Sequence, residues 1–327
     1  MVKLASAEEK QVKRATRAAY GVTLAELAGE GLPVVAVDAD LSGSTTTKKF
    51  ADADPAYADR LFNCGIAEQN MIDVAAGLAI TGHIAFTGSF AVFGTGRAYD
   101  QIRNTVAYSK LNVKVAPSHA GVSVGPDGGS HQMLEDISLM RGLPGMRVLV
   151  PADYAAARAA IRTAAQTEGP VYVRMGRASV PAVYADGVEL EIGRAYTLRE
   201  GSDVTIVACG VEVEQAMIAA ELLAAEGIEA EVIDAFSVKP LDEETIAASA
   251  SKTGCVVVAE EHSVLGGLGS AVAEALARRC PAPIEFIGVQ DRFGKSGEFE
   301  ELLDYFNLDA KAIVEAVKKV QGRKSIC

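Results

Sequence analysis

Two stretches of this sequence combine residue types that can move protons. The first is Asn63-Cys64-Gly65-Ile66-Ala67-Glu68-Gln69-Asn70-Met71, where a lone carboxylate follows an apolar run. Met71, Val74, Ala75 and Leu78 continue at helical spacing, which puts Glu68 at or near a helix N-terminus. A glutamate there complements the helix dipole, and it can equally act as an acid–base group. The second stretch runs from Pro117 to Gln132 and holds two of the four histidines, His119 and His131, with Asp127 between them. Its density of glycines rules out a helix interior, so it reads as a loop after the strand Val113-Lys114-Val115. Imidazole, with an unperturbed pKa of about 6.5, donates or accepts protons near neutrality. His and Asp are also metal ligands. Separations of eight and four residues match no compact zinc pattern, however, and no metal is assigned to this chain.

The elements that must position these groups alternate along the chain. A helical pattern over residues 8–29 leads into a buried strand over 32–38, and a polar loop at Asp40 follows. Helices after Glu68, around 98–108, around 132–140 and over 154–167 precede strands at 83–86, 113–115, 147–150 and 171–174. Such alternation predicts a mainly parallel sheet covered on both faces, with ligands at the C-terminal ends of its strands. Residues 181–200 interrupt the rhythm with Pro181, Asp186-Gly187 and a run of acids, and read as a linker carrying a short hairpin. A second alternating unit occupies residues 201–327, with strands at 203–208, 230–233, 255–259 and 284–287 and helices at 211–225, 242–250, 266–279 and 309–320. The fold class is therefore α/β, with two doubly wound, mainly parallel domains: residues 1–180 and, after the linker, residues 201–327.

Composition narrows the partners. With 327 residues, 49% of them hydrophobic, the chain has material for two cores. A net charge of −12 argues against nucleic acid or an anionic membrane as the main partner, while leaving room for local basic sites. Five scattered cysteines without CxxC spacing point to a reducing cytoplasm rather than to a disulfide framework. No apolar run is long enough for a membrane helix, and the N-terminus resembles neither a signal nor a transit peptide.

Gly65-Ile66-Ala67-Glu68-Gln69, followed by Ala75-Ala76-Gly77-Leu78-Ala79, closely resembles the pyrimidine-domain motif of thiamine diphosphate enzymes, the transketolase group in particular. The resemblance implies that Glu68 hydrogen-bonds the cofactor's aminopyrimidine and shares a proton at N1′. His119, Asp127 and His131 fall at the mutual spacing of the family's substrate-contacting His, Asp and His, which implies contacts to sugar hydroxyls and help with proton transfer. By the same resemblance Phe93 stacks on the pyrimidine, Phe90 lines that pocket, and Asp40 lies near the cofactor. Arg17, Ser44 and Arg177 match residues that bind the sugar phosphate, a role suited to the planar guanidinium. Arg97, in Arg97-Ala98-Tyr99-Asp100-Gln101, is closer to the deoxyxylulose-phosphate synthase branch. Glu260-Glu261-His262-Ser263-Val264-Leu265-Gly266-Gly267-Leu268-Gly269 and Asp291–Gly297 are similar to the family's C-terminal domain and match neither a dinucleotide fingerprint nor a P-loop.

The chain contains no Gly-Asp-Gly with a downstream Asn, the family motif that grips the diphosphate and its divalent metal. The resemblance thus implies the C-terminal subunit of a two-chain transketolase, moving a two-carbon ketol unit from a ketose phosphate to an aldose phosphate. Thiamine diphosphate would lie at the interface with an N-terminal subunit, which would hold Mg2+ or another divalent ion, in an α2β2 assembly built on a homodimer of this chain. Three alternatives share parts of the pattern. They are the β subunit of a 2-oxo-acid dehydrogenase, a deoxyxylulose-phosphate synthase-like enzyme, and a non-catalytic assembly subunit.

Overall fold

The computed structural model describes residues 2–324. Five consecutive buried residues, Val34–Asp38, form an inner strand whose apolar side chains alternate between two cores. Val34 and Ala36 join Tyr20, Leu24 and Leu27 of the Tyr20–Gly29 helix on one face. Val35 and Val37 join Met71, Ile72 and Ala75 of the Glu68–Ile80 helix on the other. A strand buried on both faces needs apolar side chains at every position, which is why it reads as a continuous run.

Seven strands make the first sheet, in the order Ser237–Lys239, Arg147–Leu149, Val171–Val173, Val113–Val115, Ile84–Gly88, Val34–Asp38, Leu61–Asn63. All pairs are parallel except the first, where Ser237–Lys239 runs antiparallel to Arg147–Leu149. The second sheet has five strands, ordered Ile284–Val289, Val256–Ser263, Val204–Ala208, Ala230–Asp234, Tyr196–Arg199. Here Tyr196–Arg199 is the antiparallel edge. Two doubly wound, mainly parallel sheets are therefore present, as the alternation implies.

Several elements depart from the sequence reading, each for a tertiary reason. Residues 8–19 are not helical throughout. Arg14–Ala15 pairs with Ser179–Val180, and the Thr16 hydroxyl accepts from the Gly176 N–H at 2.7 Å, so that the α-helix proper starts at Tyr20. The stretch read as a helix over 98–108 is opened by wide π-type turns at Val92–Arg97 and Ile102–Tyr108. Such turns recur at functional sites. The helix expected over 132–140 forms only at Asp136–Arg141, because Gln132 and Met133 are engaged by the loop before it. No hairpin forms within 181–200 among the described residues, since its strand Tyr196–Arg199 joins the second sheet. Finally, Ser237–Lys239 leaves the second unit to complete the first sheet, with the Val150 N–H donating to Phe236 O at 2.9 Å.

Candidate active site

The candidate side chains, Arg17 apart, come from the segments after the C-terminal ends of adjacent strands in the first sheet. Glu68 is the first residue of its helix and only 2% exposed. Its Oε2 accepts from Arg97 Nη1 at 2.9 Å, and the Arg97 guanidinium lies 4.5 Å from the centroid of the Phe93 ring. A half-exposed arginine therefore touches both the carboxylate and the aromatic ring. Phe93 continues the cluster, stacked on Phe90 at 6.1 Å and edge-on to His131 at 5.4 Å.

His119 follows directly. Its ring stacks on Phe90 at a centroid distance of 3.7 Å, and Nδ1 lies 2.7 Å from the Ser118 hydroxyl. Two backbone bonds join the loops that carry this pair: Ala91 N–H to Ser118 O at 2.7 Å and Ser118 N–H to Ser89 O at 3.0 Å. His119 holds a left-handed φ of 63°, a conformation that costs a non-glycine residue about 1–3 kcal/mol and tends to cluster at functional sites. Burial, then the charges of Arg17, Arg177 and His131, depress its pKa to about 3. This lies well below the unperturbed imidazole value of about 6.5. In the free chain it stays neutral, suited to hydrogen bonding through one donor and one acceptor nitrogen. His131 is half-buried with Nδ1 3.0 Å from the Ser130 hydroxyl, and Asp127 is exposed.

Arg17 and Arg177 close the far side. Arg17 Nη1 donates to the Ser44 carbonyl, and Arg177 Nη1 donates to Val124 O at 2.7 Å. Burial and the neighbouring Arg177 lower the Arg17 pKa, while Asp127 opposes them, so the three charges sense one another. Arg17 and Arg177 border a concavity of about 320 Å³ that Ser123, Glu298 and Phe299 also line. It is Ser44's main-chain oxygen, not its hydroxyl, that meets Arg17. Asp40 lies at the surface with φ 63° and accepts from Asn63 Nδ2 at 3.1 Å, at the start of the segment leading to Glu68. Contacts thus join Glu68, Phe93, Phe90, His131 and His119 by way of Arg97, while Arg17 and Arg177 lie near enough for their charges to act on His119, and Asp40 and Ser44 stand apart from these contacts.

The sequence reading left Arg97 without a role and passed over Asp38. Asp38 is fully buried, and burial raises its carboxyl. It accepts from Leu41 N–H at 2.7 Å and from the Thr45 hydroxyl at 3.2 Å, which shapes the Asp40–Ser44 loop. The available signal was an aspartate ending an otherwise apolar strand. Among the described residues no cluster of His, Cys, Asp or Glu could hold a metal ion, and no helix is long and apolar enough to cross a membrane.

Strand-end loops set a buried carboxylate beside stacked aromatic rings, and two arginines border a nearby concavity, groups whose chemistry suits a flat heterocycle and an anion. Residues 12–182 match the transketolase pyrimidine-binding domain family, and residues 193–313 match the transketolase C-terminal domain family. A transketolase C-terminal section of Methanocaldococcus jannaschii is 48% identical over 98% of this chain and all of its own length. The 6-deoxy-6-sulfo-D-fructose transketolase subunit of Clostridium sp. is 45% identical over 94% of this chain and 95% of that protein. A solved structure, described as the inactive beta4 tetramer of a split-gene transketolase, superposes with a TM-score of 0.86 at 51% identity, covering 95% of this chain and 99% of that one. The chain belongs to the transketolase family and comprises its pyrimidine-binding and C-terminal domains.

Proposed function

We propose that this chain is the catalytic C-terminal subunit of a two-chain transketolase, moving a two-carbon ketol unit from a ketose phosphate to an aldose phosphate. The observation that carries the reading is the contact run Glu68–Arg97–Phe93–His131–Phe90–His119, with Arg17 and Arg177 near enough for their charges to act on His119.

The residues fit an aminopyrimidine. The Arg97 guanidinium, itself a flat N–H donor, already contacts both one oxygen of the Glu68 carboxylate and the Phe93 face. Glu68, Phe93, Phe90 and Asp40 would hold the ring end of thiamine diphosphate, which supplies the electron sink for ketol transfer when bound. Glu68 would hold or give up a proton at N1′ of that ring. His119, His131 and Asp127 hold the sugar hydroxyls, His119 as a neutral donor–acceptor. Arg17 and Arg177, with Ser44, bind the phosphate of the sugar, where guanidinium forks suit its oxygens. This paired-arginine cluster is what a 2-oxo-acid dehydrogenase β subunit would not need.

Mg2+ or another divalent ion and the diphosphate end fall to an N-terminal partner subunit, in keeping with relatives named as C-terminal sections and split subunits. The simplest active assembly is α2β2, in a cytoplasmic setting consistent with free Cys64, Cys209, Cys255 and Cys280. The test is to purify this chain alone, add thiamine diphosphate, Mg2+ and sugar phosphates, and measure turnover and mass before and after adding the partner. We expect a self-associated chain without turnover, then activity in a larger assembly of two copies each. Full activity from the single chain would overturn the two-chain reading.

A further inference from the structure

The second sheet has its own strand-end crevice. Its first parallel strand, Val204–Ala208, is flanked by Ala230–Asp234 on one side and Val256–Ser263 on the other, so its strand order reverses there. Open α/β sheets bind ligands at such points. Here part of the first domain occupies the crevice. Glu261, on Val256–Ser263 and 2% exposed, accepts the Ser123 backbone N–H with Oε1. Its Oε2 lies 3.9 Å from Arg174 Nη1, and its carbonyl accepts from Arg174 Nη2 at 2.8 Å. Gly121 has φ 81°, and a Cβ there would fall 2.3 Å from the Glu261 carboxyl carbon, so only glycine lets the loop approach this closely. Burial pushes the Glu261 carboxyl up to about 7 against the pull of Arg174 and of the Ser123 N–H.

The C-terminal domain holds the same loop a second time. Gln132 Nε2 donates to Lys295 O at 2.9 Å and to Val122 O at 3.1 Å, linking the two ends of the loop to the segment after Ile284–Val289. A Cβ on Gly128 would meet Ser296 Oγ at 2.3 Å. The loop so held carries His119, Asp127 and His131.

We propose that Glu261 is a positioning residue for the substrate loop, and that the C-terminal domain serves catalysis by bracketing that loop from a crevice that would otherwise take a ligand. The catalytic half of this statement rests on the proposed function; the bracket itself does not. Glu261→Ala removes the acceptor, while Arg174 keeps Asp136 at 2.7 Å, so the remaining buried charge stays paired. Glu261→Gln keeps an acceptor oxygen without the charge.

Two measurements decide it. Amide hydrogen exchange over residues 119–132 in the full chain should speed up roughly tenfold or more in Glu261→Ala, with Glu261→Gln in between, while Val204–Ala208 keeps its protection. In the assembled enzyme the alanine variant should lose roughly 10- to 100-fold in kcat/KM for sugar phosphates, chiefly through KM, with thiamine diphosphate affinity near wild type. Unchanged exchange over 119–132 overturns the bracket. Faster exchange with unchanged sugar constants overturns the positioning role. If the wild-type assembly does not turn over sugar phosphates, the proposed function fails and the exchange result still decides the bracket. Should Glu261→Ala not fold, the isosteric Glu261→Gln supports the proposal by partial loosening and overturns it by none.

Discussion

Glu68 commits Oε2 to Arg97, and no further hydrogen bond to its carboxylate forms among the described residues. The second oxygen is thereby kept for an incoming N–H. Glu68→Gln preserves shape but ends proton exchange. We expect turnover in the assembled enzyme to fall at least roughly 100-fold, the lower range for a positioned acid–base group. Arg97 is half exposed and can turn to water, so stability should change by no more than about 1 kcal/mol. Turnover within a few-fold of wild type would remove Glu68 from the chemistry. Arg97 also shows why adjacency to a motif is not a role: its spacing from Glu68 says nothing about the wide turns that fold it back onto the carboxylate.

Between residue and domain, a two-stranded ribbon does the placing. Arg14–Ala15 pairs with Ser179–Val180, and the Arg17 N–H donates to Gly176 O at 3.4 Å, which brings two arginines far apart in sequence to one concavity. If they grip phosphate together, Arg17→Ala and Arg177→Ala should each raise KM for phosphorylated donors by roughly 10- to 100-fold more than for unphosphorylated ones. Steady-state kinetics with matched donors checks this, and equal penalties would sink the clamp. The alternation of strand and helix was legible because a two-faced buried strand and an amphipathic helix each leave a local period. Glu68 at a helix start and the glycine-rich histidine loop were legible for the same local reason. The ribbon, the delayed start of the Tyr20–Gly29 and Asp136–Arg141 helices, and the hold of Glu261 on Ser123 were not. Each depends on a partner more than a hundred positions away or on a loop that outbids the helix, and neither leaves a periodic trace. The one hint was Glu260-Glu261 inside an apolar strand, where two acids need buried partners.

At the scale of the whole chain, the two halves are not separable beads. Ser237–Lys239 covers the Arg147–Leu149 edge of the first sheet, so a cut in the 181–200 region leaves that edge bare. A 1–200 fragment should self-associate or aggregate in sedimentation and lose its cooperative melt. A monodisperse fragment melting within about 5 °C of the full chain would show that the edge strand is dispensable. The same strand sets an order of events during synthesis. Ribosomes deliver about 5–20 residues per second, and the last other strand of the first sheet, Val171–Val173, emerges dozens of residues before Ser237. For some seconds the nascent first half carries a hydrogen-bonding edge with no cover, next to neighbours on the same message with identical open edges. Time of emergence therefore matters beside the folded form: slow codons between residues 174 and 236 would prolong that exposure, and fast ones would shorten it.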